Sequence, residues 1–168
     1  MKYDEYDSDE SDLEFGRDMF HHLSPREKVV TEIVEKKLYL TDMMAANDLK
    51  ILKKYGIEGV ISLGGFHEQP SYIVHEGIHY NHIYIDDCEN EPISQYFDDA
   101  IWFIDKIDGP VLVHCWAGIS RSSTIVIAYL IKQKDMTFQE AVNYVQERRT
   151  FIAPNDGFLQ QLEEFAQG

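Results

Sequence analysis

Cys115 and Arg121 are separated by five residues in the segment of this chain best suited to chemistry. Residues 110–124 read Pro-Val-Leu-Val-His-Cys-Trp-Ala-Gly-Ile-Ser-Arg-Ser-Ser-Thr. The apolar run before the cysteine is typical of a strand buried on both faces. The apolar residues after the arginine predict a helix. A loop between such a strand and helix directs backbone N–H groups and the positive helix end at its centre, which favours an anion.

Cys115 places a sulfur at the start of this loop. Positive surroundings favour the thiolate over the thiol, so the loop offers an activated nucleophile together with a cradle for oxyanions. The planar guanidinium of Arg121 can bind two phosphoryl oxygens at once. Gly118 permits a positive φ and a close approach of the backbone to a ligand. The Ser122 hydroxyl can donate to the sulfur, and we expect His114 to fix the loop by hydrogen bonding rather than to transfer protons.

The composition predicts one compact domain with a short tail. The chain has 168 residues, of which 44% are hydrophobic and 12% aromatic, enough for a buried core. It contains no run of about 18 apolar residues, which argues against a membrane span. The acidic N-terminus does not resemble a secretory signal, and two cysteines give no disulfide framework. These features predict an intracellular protein of the cytoplasm, with the nucleus as a second compartment.

The net charge of −15 is unevenly spread along the chain, with an acidic N-terminus and an acidic remainder. Residues 1–14 hold seven acids against one lysine. We therefore expect residues 1–16 to form a disordered acidic tail and residues 17–168 to form the folded domain. An acidic surface repels nucleic acid and anionic lipid, so neither is expected as a partner. Any anionic ligand must be held by a local positive site.

Alternating strands and helices predict an α/β fold with a central, mostly parallel, twisted sheet of four to five strands and helices on both faces. In such sheets a ligand lies beyond the carboxyl ends of the strands. The expected strands are residues 33–34, 37–40, 58–63, 79–85 and 111–113. Helices or helical turns are expected at residues 24–31, 49–55, 70–76, 93–107, 122–132, 137–149 and 156–166.

The loop resembles a known signature. His114-Cys115-x-x-Gly118-x-x-Arg121-Ser122 matches the Cys-x5-Arg pattern of the protein tyrosine phosphatases, and the form with Ala117 and Ser120 resembles the dual-specificity subfamily. The similarity covers roughly residues 30–165, with subfamily counterparts at Leu38-Tyr39-Leu40, Gly56-Ile57 through Ile61, Tyr96-Phe97 through Phe103-Ile104, Pro154-Asn155-x-Gly157-Phe158 and Gln161-Leu162. The resemblance implies that phosphate is bound by the loop residues Trp116, Ala117, Gly118, Ile119, Ser120 and Arg121.

The resemblance also implies a general acid that protonates the leaving oxygen. In the family this is an Asp ten residues before the Phe of a Tyr-Phe-like pair, and counting back from Phe97 gives Asp87. Asp86 is the competing choice. A carboxylate that closes a strand near the functional edge of the sheet is well placed for acid–base work, and the less favoured alternative is an aspartate of an ordinary strand-end turn. We expect Asp87 to be the acid.

The implied mechanism has two steps and requires no metal or other cofactor. The Cys115 thiolate attacks phosphorus while Asp87 protonates the leaving oxygen, and Asp87 then activates water to hydrolyse the phosphocysteine. The expected partner is a phosphorylated protein, with phosphate on tyrosine, serine or threonine. The alternatives are a phosphoester of lipid, RNA 5′ ends or glucan, and a catalytically weak module that binds phosphoproteins. A monomer or a weak homodimer is expected.

Relatives that act on lipid and RNA tend to carry Lys or His within the loop, whereas this loop has Trp116, Ala117, Ile119 and Ser120. Glucan-acting relatives usually have Gly where Ser120 stands. Protein phosphoesters are therefore the best match.

Three weaker signals accompany the loop. Cys88 could form a disulfide with an oxidised Cys115, but a plain loop thiol is the simpler interpretation. Asn155 reads as a helix cap with an indirect effect on the loop. Four histidines do not combine with cysteines or carboxylates into a metal site: His67, His75, His79 and His82. His79 and His82 are three residues apart in one predicted strand, so their side chains face opposite sides of it.

Overall fold

The computed structural model describes residues 30–65 and 75–168. Within them, five strands form one sheet: β1 (Thr31–Val34), β2 (Leu38–Thr41), β3 (Gly59–Gly64), β4 (His79–Tyr84) and β5 (Val111–His114). Their order across the sheet is β1-β2-β5-β3-β4. β1 pairs antiparallel with β2, and the other four strands run parallel. The predicted α/β sheet is confirmed, with the antiparallel strand at one edge.

Helices cover both faces of the sheet. In the described residues they are α1 (Met43–Ala46), α2 (Leu49–Lys54), a 3-10 turn (Ile93–Tyr96), α3 (Phe97–Lys106), α4 (Arg121–Gln133), α5 (Phe138–Arg148) and α6 (Asp156–Gln167). One apolar cluster joins Ala46 and Leu52, from α1 and α2, to Leu112 of β5. A larger cluster joins the other helices to Val111 and Val113 of the same strand. Alternate side chains of β5 therefore enter different cores.

β5 lies at the centre of the sheet, between β2 and β3. Its four residues are buried, which explains why the segment is apolar without alternation. His114 pairs in register with Thr41 on one side and Ser62 on the other. β2 and β5 therefore end together, while β3 and β4 continue for two more residues, and the loop that follows His114 lies at the carboxyl edge of the sheet, as expected for a ligand site.

α4 follows that loop and forms the centre of the larger core. Eleven of its thirteen residues are buried, so it is apolar on all sides rather than along one stripe. It packs against α3, α5 and α6. None of the helices in the described ranges has both the length and the apolar character to cross a bilayer.

Most predicted elements are confirmed, with boundaries that shift by one or two residues. The segment 93–107 begins as a 3-10 turn before it becomes α3. The helix expected over 24–31 cannot reach Thr31, because this residue belongs to β1 and pairs with Leu40. The rest of that helix, most of the turn at 70–76 and the acidic tail lie outside the described residues. α1 was missed: it has four residues and is specified by one cap, in which Asp42 accepts the Ala45 N–H.

A capping box should stabilise α5 measurably. The Thr137 hydroxyl accepts the Glu140 N–H while the Glu140 carboxylate accepts the Thr137 N–H. Thr137→Ala should lower the free energy of unfolding by about 1 kcal/mol, whereas Thr137→Ser, which keeps the hydroxyl, should change it little. Urea unfolding of the three proteins measures the difference. Equal stability of the alanine variant and the parent would show that the box contributes nothing.

Candidate active site

The loop after Cys115 is held by hydrogen bonds to its carbonyl oxygens. The carbonyl of Trp116 accepts the Met43 N–H at 3.2 Å, and that of Ile119 accepts the Ala153 N–H at 2.9 Å. These donors lie outside the loop, so the carbonyls face outward. In a trans peptide unit the C=O and N–H point in opposite directions, and outward carbonyls therefore turn the following N–H groups inward. The loop thus forms a concave array of donors, the arrangement that binds an anion.

Arg149 supports the loop from behind and was not identified from the sequence. Its Nε donates to the Gly118 carbonyl at 2.9 Å, and its Nη1 donates to the Thr31 hydroxyl at 3.1 Å. Only 2% of the residue is exposed, and the guanidinium lies 4.4 Å from the centre of the Phe151 ring. The neighbouring Arg148 is exposed. In the sequence both arginines look like the basic end of an amphipathic helix. No sequence signal therefore shows which of the two contacts the loop.

The sulfur of Cys115 lies beside the first turn of α4. The residue is 4% exposed, and its Sγ is 3.1 Å from the Ser122 hydroxyl oxygen. Ser120 occupies the N-cap position of α4, yet its side chain makes no cap hydrogen bond to the helix. The first N–H groups of α4 therefore remain available to a ligand beside the sulfur, where the helix dipole favours negative charge.

Arg121 begins α4 and is also buried, with 4% exposed. Its Nη1 donates to the Ile85 carbonyl at 3.1 Å. Ile85 directly follows β4 and precedes the two candidate acids. The arginine thus joins the loop to the segment that carries the acids.

The two candidate acids point to different places. The Asp87 Oδ1 atom accepts the Ser120 hydroxyl at 2.7 Å, so this carboxylate contacts the loop. The Asp86 carboxylate packs instead against Gly65, where its Oδ1 occupies the position that a side-chain carbon on that glycine would take. The structure brings Asp87, rather than Asp86, to the loop that holds Cys115.

His114 contacts the loop from the end of β5. It is 3% exposed, and its Nδ1 lies 3.3 Å from the Cys115 carbonyl oxygen. Burial lowers the pKa of His114 to about 4, with smaller contributions from the charges of His82 and Arg121. The imidazole is therefore neutral at physiological pH. A neutral ring donates one proton from Nδ1 to the carbonyl, which suits a structural contact.

The structure also shows where the residues of the weaker sequence signals lie. Asn155 caps α6, as expected, by accepting the Phe158 N–H at 2.9 Å. Cys88 is exposed and Cys115 buried, and both thiols are free. Three of the four histidines fall within the described ranges, where no group of three or more His, Cys, Asp or Glu residues is arranged to hold a metal ion. His67 lies outside those ranges.

The site and the fold agree with comparisons to known proteins. The family model for the dual specificity phosphatase catalytic domain matches residues 38–168. Dual specificity protein phosphatase 1 of Arabidopsis thaliana is 34% identical over 83% of this chain and 70% of its own length. Dual specificity protein phosphatase 5 of Homo sapiens is 37% identical over 76% of this chain but only 33% of its own length. The chain therefore spans about a third of the human relative.

Solved structures show the same similarity. The crystal structure of human tyrosine phosphatase-like serine/threonine/tyrosine-interacting protein is 36% identical, with a TM-score of 0.78 over 83% of this chain and 97% of that one. The structure of DUSP15 is also 36% identical, with a TM-score of 0.76 over 82% of this chain and 86% of that one. The chain belongs to the dual specificity phosphatase family, and residues 38–168 form its catalytic domain.

Gly118 should be essential for anion binding. Its φ is 67°, and an added Cβ would lie 2.5 Å from the Thr41 carbonyl oxygen. Gly56 is a matched control, because its φ is 63° but a Cβ there would meet nothing within 4 Å. Each change to alanine should cost about 1 kcal/mol of stability through strain. Only Gly118→Ala should also weaken vanadate binding, by roughly tenfold to a hundredfold, the usual effect of losing one hydrogen bond to a charged group.

Calorimetric titration with vanadate and urea unfolding measure the two effects separately. Equal vanadate affinity of the two alanine variants would contradict the clash at Gly118.

Burial of His114 should make stability fall with acid. Above pH 6.5 the ring is neutral in both the folded and unfolded chain, so it has no effect there. As the pH falls from 6.5 to about 4, the unfolded chain gains a proton that the folded chain does not. Because one pKa unit corresponds to about 1.4 kcal/mol, the folded state should lose roughly 3 kcal/mol over this range.

The variant His114→Asn lacks this titration. Its free energy of unfolding, measured in urea between pH 4 and pH 7, should fall less steeply than that of the parent. Parallel curves for the two proteins would show that His114 is not neutral in the folded chain.

Proposed function

We propose that this domain hydrolyses phosphotyrosine and phosphoserine or phosphothreonine on proteins through a phosphocysteine formed at Cys115. The observation that carries the proposal is the meeting of three groups at one loop. Cys115 begins the loop with its sulfur 3.1 Å from the Ser122 hydroxyl oxygen, Arg121 begins the helix that follows the loop, and Asp87 is hydrogen-bonded to the loop through Ser120. Nucleophile, oxyanion site and acid are the parts that phosphoryl transfer to a thiolate needs.

The first step transfers the phosphoryl group to sulfur. The Cys115 thiolate attacks phosphorus, so that an S–P bond forms as the P–O bond of the ester breaks. Asp87 gives its proton to the departing ester oxygen, which leaves as an alcohol or phenol. The N–H groups of the loop and the Arg121 guanidinium bind the non-bridging oxygens, whose negative charge they stabilise through the transition state.

The second step releases phosphate. The Asp87 carboxylate accepts a proton from water as the water oxygen attacks phosphorus, and the S–P bond breaks. Sulfur departs as a thiolate, which the Ser122 hydroxyl stabilises from 3.1 Å. Asp87 ends protonated and ready for the next substrate. The proton and the thiolate are both regenerated, so no cofactor enters the cycle.

Protein phosphoesters suit the site better than polyanionic substrates. The chain has a net charge of −15, which repels inositol lipids and nucleic acid at a distance. The loop positions Trp116, Ala117, Ile119 and Ser120 carry no charge that would attract additional phosphates. We propose an intracellular role in signalling, in the cytoplasm or nucleus, because a nucleophilic thiol requires a reducing compartment. A monomer or weak homodimer is the proposed assembly.

A second candidate function is binding to phosphoproteins without turnover. The observation that favours it is the high structural similarity to a protein named as serine/threonine/tyrosine-interacting. Such a module needs the anion cradle but not the nucleophile or the acid. This chain has Cys115 in the cradle and Asp87 beside it, which favours catalysis.

The two functions predict different activities. Vanadate-sensitive hydrolysis of p-nitrophenyl phosphate, and of phosphotyrosine and phosphothreonine peptides, supports the phosphatase. Cys115→Ser should abolish turnover, because a hydroxyl is a far weaker nucleophile than a thiolate at neutral pH. Binding of the same peptides by the parent protein without any phosphate release would support the binding module instead.

The acid is tested by a pair of neighbouring variants. Asp87→Ala should lower kcat by about 10²–10⁴, the usual contribution of a general acid or base. Asp86→Ala is the matched control and should keep most of the activity, since the Asp86 side chain packs against Gly65 rather than the loop. Steady-state kinetics on phenyl phosphate compares them. Loss of activity in the Asp86 variant alone would reverse the assignment.

A further inference from the structure

Hydrogen bonds from two other segments converge on one oxygen of Asp87. The Ser120 hydroxyl, from the catalytic loop, donates to Asp87 Oδ1 at 2.7 Å. The Asn155 Nδ2, from the start of α6, donates to the same oxygen at 2.9 Å. The N–H of Asn155 donates in turn to the Ser120 hydroxyl oxygen at 3.1 Å. The three residues form a closed triangle of hydrogen bonds.

Neighbouring bonds determine the direction of each donor. The Phe158 N–H donates to Asn155 Oδ1 at 2.9 Å, so the oxygen of this amide faces the helix and its NH₂ group faces Asp87. The Ser120 hydroxyl accepts the Asn155 N–H, so its single proton is directed to the carboxylate. Both donors are therefore assigned by the bonding pattern rather than by the shape of the amide, which alone would be ambiguous.

We propose that Asn155 and Ser120 are positioning residues for the general acid. Because both donors occupy Oδ1, Oδ2 is the oxygen of Asp87 that carries the transferable proton. In the first step the O–H bond at Oδ2 breaks and its proton goes to the ester oxygen. In the second step Oδ2 takes a proton from the attacking water, while Oδ1 keeps both donors. This inference rests on the proposed role of Asp87.

α6 also holds the chain that follows the acid. The Gln161 Nε2 donates to the Glu91 carbonyl at 2.9 Å, and the Gln161 Oε1 accepts the Ser94 N–H at 3.0 Å. α6 therefore contacts the segment 87–94 at three points. A helix packed on the large core is a rigid support, and this supports a positioning function for its N-terminal residue.

The competing explanation is that Asn155 only caps α6. Asn155→Asp separates the two roles, because an aspartate caps a helix as well as an asparagine does. The new oxygen faces Asp87 in place of the NH₂ group, so the variant loses the donor and gains a repulsion. Asn155→Ala removes both the cap and the donor. Thermal unfolding should show a lower midpoint for the alanine variant than for the aspartate variant.

Two substrates with different leaving groups provide the decisive readout. Phenol is a poor leaving group that needs a proton, whereas 2,4-dinitrophenol departs as an anion. Asn155→Asp should lower kcat/KM for phenyl phosphate by roughly tenfold to a hundredfold, the usual effect of losing a hydrogen bond to a charged group. It should lower kcat/KM for 2,4-dinitrophenyl phosphate by less than about twofold, because kcat/KM reports only the steps up to formation of the phosphocysteine, and dinitrophenolate leaves without the acid.

The same change in an Asp87→Ala background is the control. With the acid absent, Asn155→Asp should have no further effect on phenyl phosphate, since residues that act through one another are not additive. Equal slowing of both substrates, or an effect that persists without Asp87, would overturn the proposal and leave Asn155 as a cap alone. Full activity of Asp87→Ala on phenyl phosphate would instead overturn the role of Asp87 itself.

Discussion

The site depends on the orientation of the peptide groups between Cys115 and Arg121. Their carbonyl oxygens accept bonds from three separate parts of the chain, at Met43, Arg149 and Ala153. A buried peptide group without a partner costs about 1–3 kcal/mol, so any other orientation of the loop would be unfavourable. The hydrogen bonds that satisfy the carbonyls thus also direct the N–H groups at the sulfur. The capacity of the loop to bind an anion therefore follows from the hydrogen bonds that its carbonyl groups accept.

This orientation also explains how an acidic protein can bind an anion. The net charge of −15 acts over distances at which salt screens it, with a Debye length of roughly 8 Å under physiological conditions. The N–H groups and the Arg121 guanidinium act in direct contact with the anion, at distances far shorter than the Debye length, where screening is weak. The short-range attraction therefore prevails within the site. The long-range field of the net negative charge acts only while a ligand approaches the site, and there it disfavours polyanions.

The helices on the larger core do more than cover the sheet. α5 ends next to Arg149, which holds Gly118, and Asn155, the N-cap of α6, contacts both Asp87 and Ser120. Residues at the ends of these two helices therefore hold the loop of Cys115, and one of them also holds Asp87, the proposed acid. Ser120 connects the loop to Asp87, because its backbone is part of the loop and its side chain donates a hydrogen bond to Asp87. A change that shifts α6 should consequently disturb acid catalysis before it disturbs phosphate binding.

The sequence by itself indicated the succession of strands and helices along the chain and the Cys115–Arg121 loop, and family resemblance led to the prediction that Asp87 is the acid. These features are local, because buried strands, helix periods and loop motifs are each read within a short stretch. Only the tertiary structure decided that Arg149 and not Arg148 supports the loop. It also decided that Asn155 bonds to Asp87, 68 residues away. Such contacts depend on how helices pack against the sheet, and no local pattern encodes that geometry.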